Sequence, residues 1–210
     1  MSVIQSRNEE TWNVITHGFG VLIHAIGFTY LLTNYDKNTI SFWYVAIYGL
    51  SLILLFFASS IYHYVSNPKY KRQLRKLDHI SIYVLIAGTY TPVCMSVLKD
   101  SRGLLIFITV WSITAFGLVL KLFFTGKFEK ISLLLYLIMG WLIVIDFENL
   151  YNSISSYALI YLIAGGLFYT LGIIFYVMHK LKYHHVIWHV FVLLGSFFHY
   201  LMVFEIVVKS

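Results

Sequence analysis

Two histidines four residues apart, His185 and His189, open the last long apolar run of the chain within Tyr183-His184-His185-Val186-Ile187-Trp188-His189. On a helix this spacing puts both imidazoles on one face about one turn apart. Two such rings can bind one metal ion, as in helical zinc sites. His184 lies about 100° round the helix and points elsewhere. An open zinc site needs a third protein ligand, and His63 offers one at the end of Ala58-Ser59-Ser60-Ile61-Tyr62-His63, with Ser59 one turn deeper. Three neutral imidazoles leave the ion's charge high and lower the pKa of its water toward about 7. Asp78, in Arg75-Lys76-Leu77-Asp78-His79, is then either a fourth ligand or the general base that takes that water's proton. Its structural alternative is a salt bridge to Arg75 or Lys76. Ser59 can donate to the same water or to a substrate carbonyl, or bond to a carbonyl one turn back.

The elements that carry these residues are membrane spans. The chain has 210 residues, of which 60% are hydrophobic and only 11% charged. Soluble domains carry roughly 25% charged residues, so this composition cannot cover a globule in water. Two prolines, one cysteine and no low-complexity tract exclude disorder, collagen-like sequence and a disulfide scaffold. Seven apolar runs fall at about 12–32, 42–65, 79–98, 104–124, 131–147, 156–177 and 185–208. The fifth is the least regular, because Asp146 and Glu148 arrive early. Connections are short, so the expected fold is an all-α integral membrane protein, a single seven-transmembrane helix bundle over residues 1–210. Residues 1–11 are polar and no cleavable signal peptide is expected. The net charge of +6 does not indicate a nucleic-acid partner, since the basic residues lie in loops between spans.

Those basic residues set the orientation. If the N-terminus is cytoplasmic, the inside segments hold Arg7, Lys69, Lys71, Arg72, Arg75, Lys76, Lys121, Lys127, Lys130, Lys180 and Lys182. The outside segments hold only Lys37, Lys99, Arg102 and Lys209. The positive-inside rule therefore places the N-terminus in the cytoplasm and the C-terminus outside. His63 then ends a descending span, while Asp78, His185 and His189 begin ascending ones. All four are brought to one depth by a count that used none of them.

Polar groups at membrane depth are costly and rarely accidental, and this chain has nine histidines against nine acids. In the first span Glu10, Asn13, His17, Gly20, His24 and Gly27 recur at steps of three or four and share a face. This stripe reads as a supporting hydrogen-bond network. His79, His179 and His199 read as interfacial or core histidines. Pro92 is expected to kink the third span, and Trp12, Trp43, Tyr44, Trp141 and Tyr183 read as interfacial aromatics.

Together the segments Glu10-x-x-Asn13-x-x-Thr16-His17-Gly18, Ser59-x-x-x-His63, Leu77-Asp78-His79, Ala87-Gly88-Thr89-Tyr90-Thr91-Pro92 and His185-x-x-x-His189 resemble the hemolysin III family. That family is the bacterial branch of the progestin and adipoQ receptor group, which includes the adiponectin receptors. The resemblance implies seven helices with a cytoplasmic N-terminus and zinc on His63, His185 and His189, with Asp78 and Ser59 beside a zinc-bound water. It places the chain in a superfamily that includes alkaline ceramidases. The expected activity is zinc-dependent hydrolysis of an amide or ester in a membrane lipid, sphingolipid-like or acyl-lipid-like, at the cell membrane. The alternative is a non-enzymatic pore-forming (haemolytic), membrane-stress or receptor-like protein with a structural zinc. A serine hydrolase built on Ser59, His63 and Asp78 leaves the His185/His189 pair without a role.

Overall fold

A computed structural model describes residues 5–209 of the chain. The first four residues of the polar N-terminal stretch and Ser210 lie outside the described residues. The helices are α1 (Arg7–Asn34), α2 (Phe42–Tyr64), α3 (Pro68–Pro92), α4 (Gly103–Phe124), α5 (Glu129–Trp141), α6 (Phe147–Ser153), α7 (Ser156–Val177) and α8 (His184–Val208). A π-helical turn, Val93–Val97, prolongs α3, and a 3₁₀ turn, Leu142–Asp146, joins α5 to α6. Counted with those turns, seven stretches are long and apolar enough to cross a membrane. Their outward sides carry large apolar residues such as Leu22, Ile26 and Phe123, as helices in lipid require.

Two helix starts lie well before the apolar runs. Ser6 and Glu9 form a capping box ahead of α1, satisfying amides that the first turn would leave open. Asn67 caps α3 through Lys69 N, with Pro68 in the first turn. The third helix therefore begins eleven residues before His79. Its first turns are charged and project past the apolar zone, and Asp78 sits inside a formed helix.

The fifth span is longer than its apolar run because its acid is paid for locally. Asp146 is buried and accepts from Ser101 Oγ (2.6 Å), Arg102 N (2.9 Å) and Asn149 Nδ2 (2.7 Å). The break in the helix is stitched by one hydroxyl. Tyr90 OH donates to Gly140 O (3.1 Å) and accepts from Ile143 N (2.9 Å). Since the span reaches Ser153, Trp141 lies near its middle and not at an interface; its Nε1 donates to Thr170 Oγ1 on α7 (3.3 Å). The π turn begins directly after Pro92, the kind of local disruption that proline causes inside a helix.

Close packing of α1, α2 and α8 positions the polar residues. Phe56 of α2 is fully buried between the rings of His17 (5.0 Å, edge-on) and His24 (4.7 Å, stacked). Gly20 makes room for it, since a Cβ there would lie 2.3 Å from Phe56 Cδ1. Deeper along α1, His24 donates from Nδ1 to Gly20 O (2.8 Å), and its Nε2 lies 3.2 Å from Ser196 Oγ on α8.

Candidate metal centre

His63 at the end of α2 and His185 and His189 in the first two turns of α8 meet at one point. One ring nitrogen from each lies within 4.8 Å of the other two. The ring centroids of His63 are 5.2 Å from His185 and 5.0 Å from His189, and those of His185 and His189 are 4.6 Å apart. His63 and His189 are buried and His185 is half-buried.

The first turns of α1 hold this cluster together. Glu10 Oε2 lies 2.5 Å from His63 Nδ1, and Glu10 Oε1 lies 2.8 Å from Lys71 Nζ at the start of α3. A carboxylate can only accept, so this contact puts the imidazole proton on Nδ1 and leaves the lone pair on Nε2. His63 Nε2 is buried and has no hydrogen-bond partner among the described residues. A buried acceptor with no donor is costly, and an imidazole oriented by a carboxylate through its other nitrogen is how metal-ligating histidines are usually held. The residues therefore fit a metal ion.

The same helix touches the remaining ligands. Asn13 is fully buried, donates from Nδ2 to Gln5 Oε1 (2.7 Å), and the same Nδ2 lies 3.4 Å from His63 Nδ1. Thr16 Oγ1 is 3.5 Å from His189 Nδ1. His17 stacks on His189 at 3.6 Å between centroids, and both of its ring nitrogens are buried without partners. Glu9 Oε1 accepts from Tyr183 N (2.9 Å), the residue before α8. Tyr183 has a left-handed backbone, φ 58°, a conformation that costs a non-glycine residue roughly 1–2 kcal/mol. α1 thus fixes where α8 starts, and with it the position of His185.

Asp78 and Ser59 are not among the clustered ligands, but both line the cavity that His17, His185 and His189 also line. That cavity has a volume of about 250 Å³ and a largely apolar wall that runs along α3, α5, α7 and α8, past Tyr90 and Tyr169 to His199. The salt bridges weighed for Asp78 do not form. Arg75 Nη2 pairs with Glu129 (3.3 Å), and Lys76 Nζ donates to Leu122 O (2.9 Å). Beside Ser59, which is buried, Ser60 is the serine that bonds one turn back, to Phe56 O (2.7 Å).

Three other histidines have partners outside the cluster. His184 Nδ1 donates toward Phe175 O (3.2 Å), His199 Nε2 lies 3.3 Å from Leu162 O, and His79 Nδ1 is 3.4 Å from Glu129 Oε2. Glu129, which sequence reasoning passed over, is the centre of a second polar cluster. It also accepts from Lys121 Nζ (2.6 Å) and Gly126 N (2.9 Å). Its signal was a lone acid in the basic Lys127–Lys130 loop. Lys71, Thr16 and the Glu9–Tyr183 contact were missed too, because each depends on which helices are neighbours.

The family model for haemolysin-III-related proteins matches residues 5–200. The chain belongs to the haemolysin-III-related family. A protein named hemolysin-3 homolog from Bacillus subtilis (strain 168) is 42% identical over 193 residues, 90% of this chain and 89% of its own length. Hemolysin-3 from Bacillus cereus is 38% identical over 190 residues, 90% of this chain and 87% of its own. Human monocyte to macrophage differentiation factor is 28% identical over 216 residues, 96% of this chain and 86% of its own. As a haemolysin-III-related chain with seven membrane-crossing stretches, the protein is a multi-pass membrane protein.

Proposed function

We propose that His63, His185 and His189 bind zinc and that the protein hydrolyses an amide or ester bond of a membrane lipid. The observation that carries this reading is the convergence of three imidazoles, two of which, His185 and His189, line an apolar cavity that Asp78 and Ser59 also line. Zinc bound there supplies Lewis acidity, polarising a carbonyl and acidifying a water. Asp78 takes the proton from the attacking water and delivers it to the leaving nitrogen or oxygen. The Ser59 hydroxyl donates to the carbonyl oxygen of the scissile linkage. Glu10 holds His63 in the ligating tautomer, while Asn13 and the stacked His17 keep the imidazoles in place. The apolar wall takes an acyl chain, so the polar linkage lies at headgroup depth beside the cluster. In this reading the N-terminus and the cluster face the cytoplasm and the C-terminus lies outside.

The test is metal analysis joined to lipid hydrolysis. Purified protein is expected to carry about one zinc per chain, and His189→Ala to lose both zinc and hydrolysis of ceramide-like or other acyl lipids. Asp78→Ala should keep the zinc and lose the hydrolysis. A metal-free preparation with full activity ends the proposal.

The name of the Bacillus cereus relative, hemolysin-3, favours a second reading in which the protein permeabilises membranes around a structural zinc. A structural site is normally closed by four ligands, and the cluster has three. Undiminished leakage of liposomes by an Asp78→Ala variant that hydrolyses nothing would support this second reading.

A further inference from the structure

The charged turns at the start of α3 form a second site, on the outer surface of the bundle and separate from the histidine cluster. Arg72, Arg75 and Lys76 line a pocket of about 200 Å³ that is closed by Leu122, Phe123 and Thr125 from the end of α4. No acid lines it. Two neighbouring cations are already neutralised: Lys71 by Glu10 (2.8 Å) and Arg75 by Glu129 (3.3 Å). Among the described residues, no carboxylate lies within 4.0 Å of Arg72 or Lys76. The pocket therefore carries two uncompensated positive charges at the point where α4 leaves the apolar zone. Lys76 Nζ donates to Leu122 O (2.9 Å), which ties the start of α3 to the end of α4.

The apolar side of the pocket points the same way. Phe123 is 74% exposed, and with Phe116 and Val119 it makes a continuous lipid-facing strip on α4. A ligand here meets cations at its head and an apolar strip along its length. Basic pockets between membrane helices bind anionic lipid headgroups. We propose that this pocket binds the phosphate of an anionic membrane phospholipid, with its acyl chains laid along Phe116, Val119 and Phe123. Arg72 and Lys76 contact the phosphate, and Arg75 remains engaged with Glu129.

The site can be tested on the full-length protein in detergent, by titration with dioctanoyl phosphatidylglycerol, dioctanoyl phosphatidylcholine and inorganic phosphate. Phosphatidylglycerol is expected to bind saturably and at least tenfold more tightly than phosphatidylcholine. Removing charge should weaken it about fivefold for Arg72→Gln and about 25-fold for Arg72→Gln/Lys76→Gln. The exposed single variant serves if the double variant melts early. Equal affinity for the two lipids, or an unchanged affinity in the Arg72→Gln variant, overturns the proposal. Inorganic phosphate that binds as tightly as phosphatidylglycerol also overturns it, by reassigning the pocket to a free anion. None of these readouts involves the metal, so the result is independent of the hydrolase reading.

Discussion

Glu10 grips His63 with one carboxylate oxygen and Lys71 with the other, at 2.5 and 2.8 Å. One side chain of α1 therefore ties α2 to α3 at the point where the histidines converge. The carboxylate also decides which nitrogen of His63 is free. Glu10→Gln keeps the shape but offers a neutral amide to Nδ1 and drops the ion pair with Lys71. Loss of such an outer partner weakens metal binding by about 10–100-fold. A zinc competition titration against a chromophoric chelator measures it, and an affinity equal to wild type would show that the contact does not orient a ligand.

Metal removal should be visible in stability. A ligand that binds only the folded chain adds about 2.7 kcal/mol at a free concentration one hundred times its Kd. Stripping zinc with a chelator is expected to lower the melting temperature of the wild type, and re-adding zinc to restore it. In His63→Ala, chelator and zinc should both leave the melting temperature where it is.

The fit of Phe56 between two histidines makes Gly20 intolerant. A methyl group at this position overlaps the ring of a fully buried residue, and overpacking of this kind costs about 1–3 kcal/mol. Gly20→Ala should therefore melt earlier than wild type in detergent. Gly18→Ala is the matched control, since nothing lies within 4 Å of its added Cβ, and the two variants should separate clearly.

The Glu129 cluster is expected to matter for folding and not for the metal. Lys121 is only 2% exposed and rests on Glu129 at 2.6 Å. Removing one member of a fully buried pair costs roughly 3–5 kcal/mol; here Lys121 is buried and Glu129 half-buried, so water screens part of that cost. Glu129→Gln should lower stability by less than this range, about 1–3 kcal/mol, while Glu129→Leu/Lys121→Met recovers much of it. Zinc content per folded chain should be the same in both; loss of zinc from well-folded Glu129→Gln would instead tie the two clusters together.

Much of this arrangement was legible in the sequence because membrane spans have so few ways to turn. The His185–His189 spacing needed only helix geometry. Charge sorting brought His63 to the same depth, and the stripe of Glu10, Asn13 and His17 lay on one face of α1. Depth and face do not specify neighbours, however. That Glu10 meets His63, that Thr16 reaches His189, and that Arg75 turns to Glu129 and not to Asp78 all follow from how helices are arranged around one another, which apolar periodicity does not encode. The extents of α3 and of the fifth span escaped for a different reason. Hydropathy reports where lipid begins, whereas helices begin and end at caps such as Asn67 and continue through an acid such as Asp146 when its oxygens are satisfied.

The break in the fifth span has a mechanical consequence. Tyr90 fastens that break to α3 by two hydrogen bonds, and Tyr136 OH adds a third to His79 O (2.9 Å). Across the cavity, the seam between α5 and α7 is sparse and is bridged by the 3.3 Å bond from Trp141 to Thr170. Parting α5 from α7 on the cavity's side therefore costs one hydrogen bond, whereas parting the fifth span from α3 costs three.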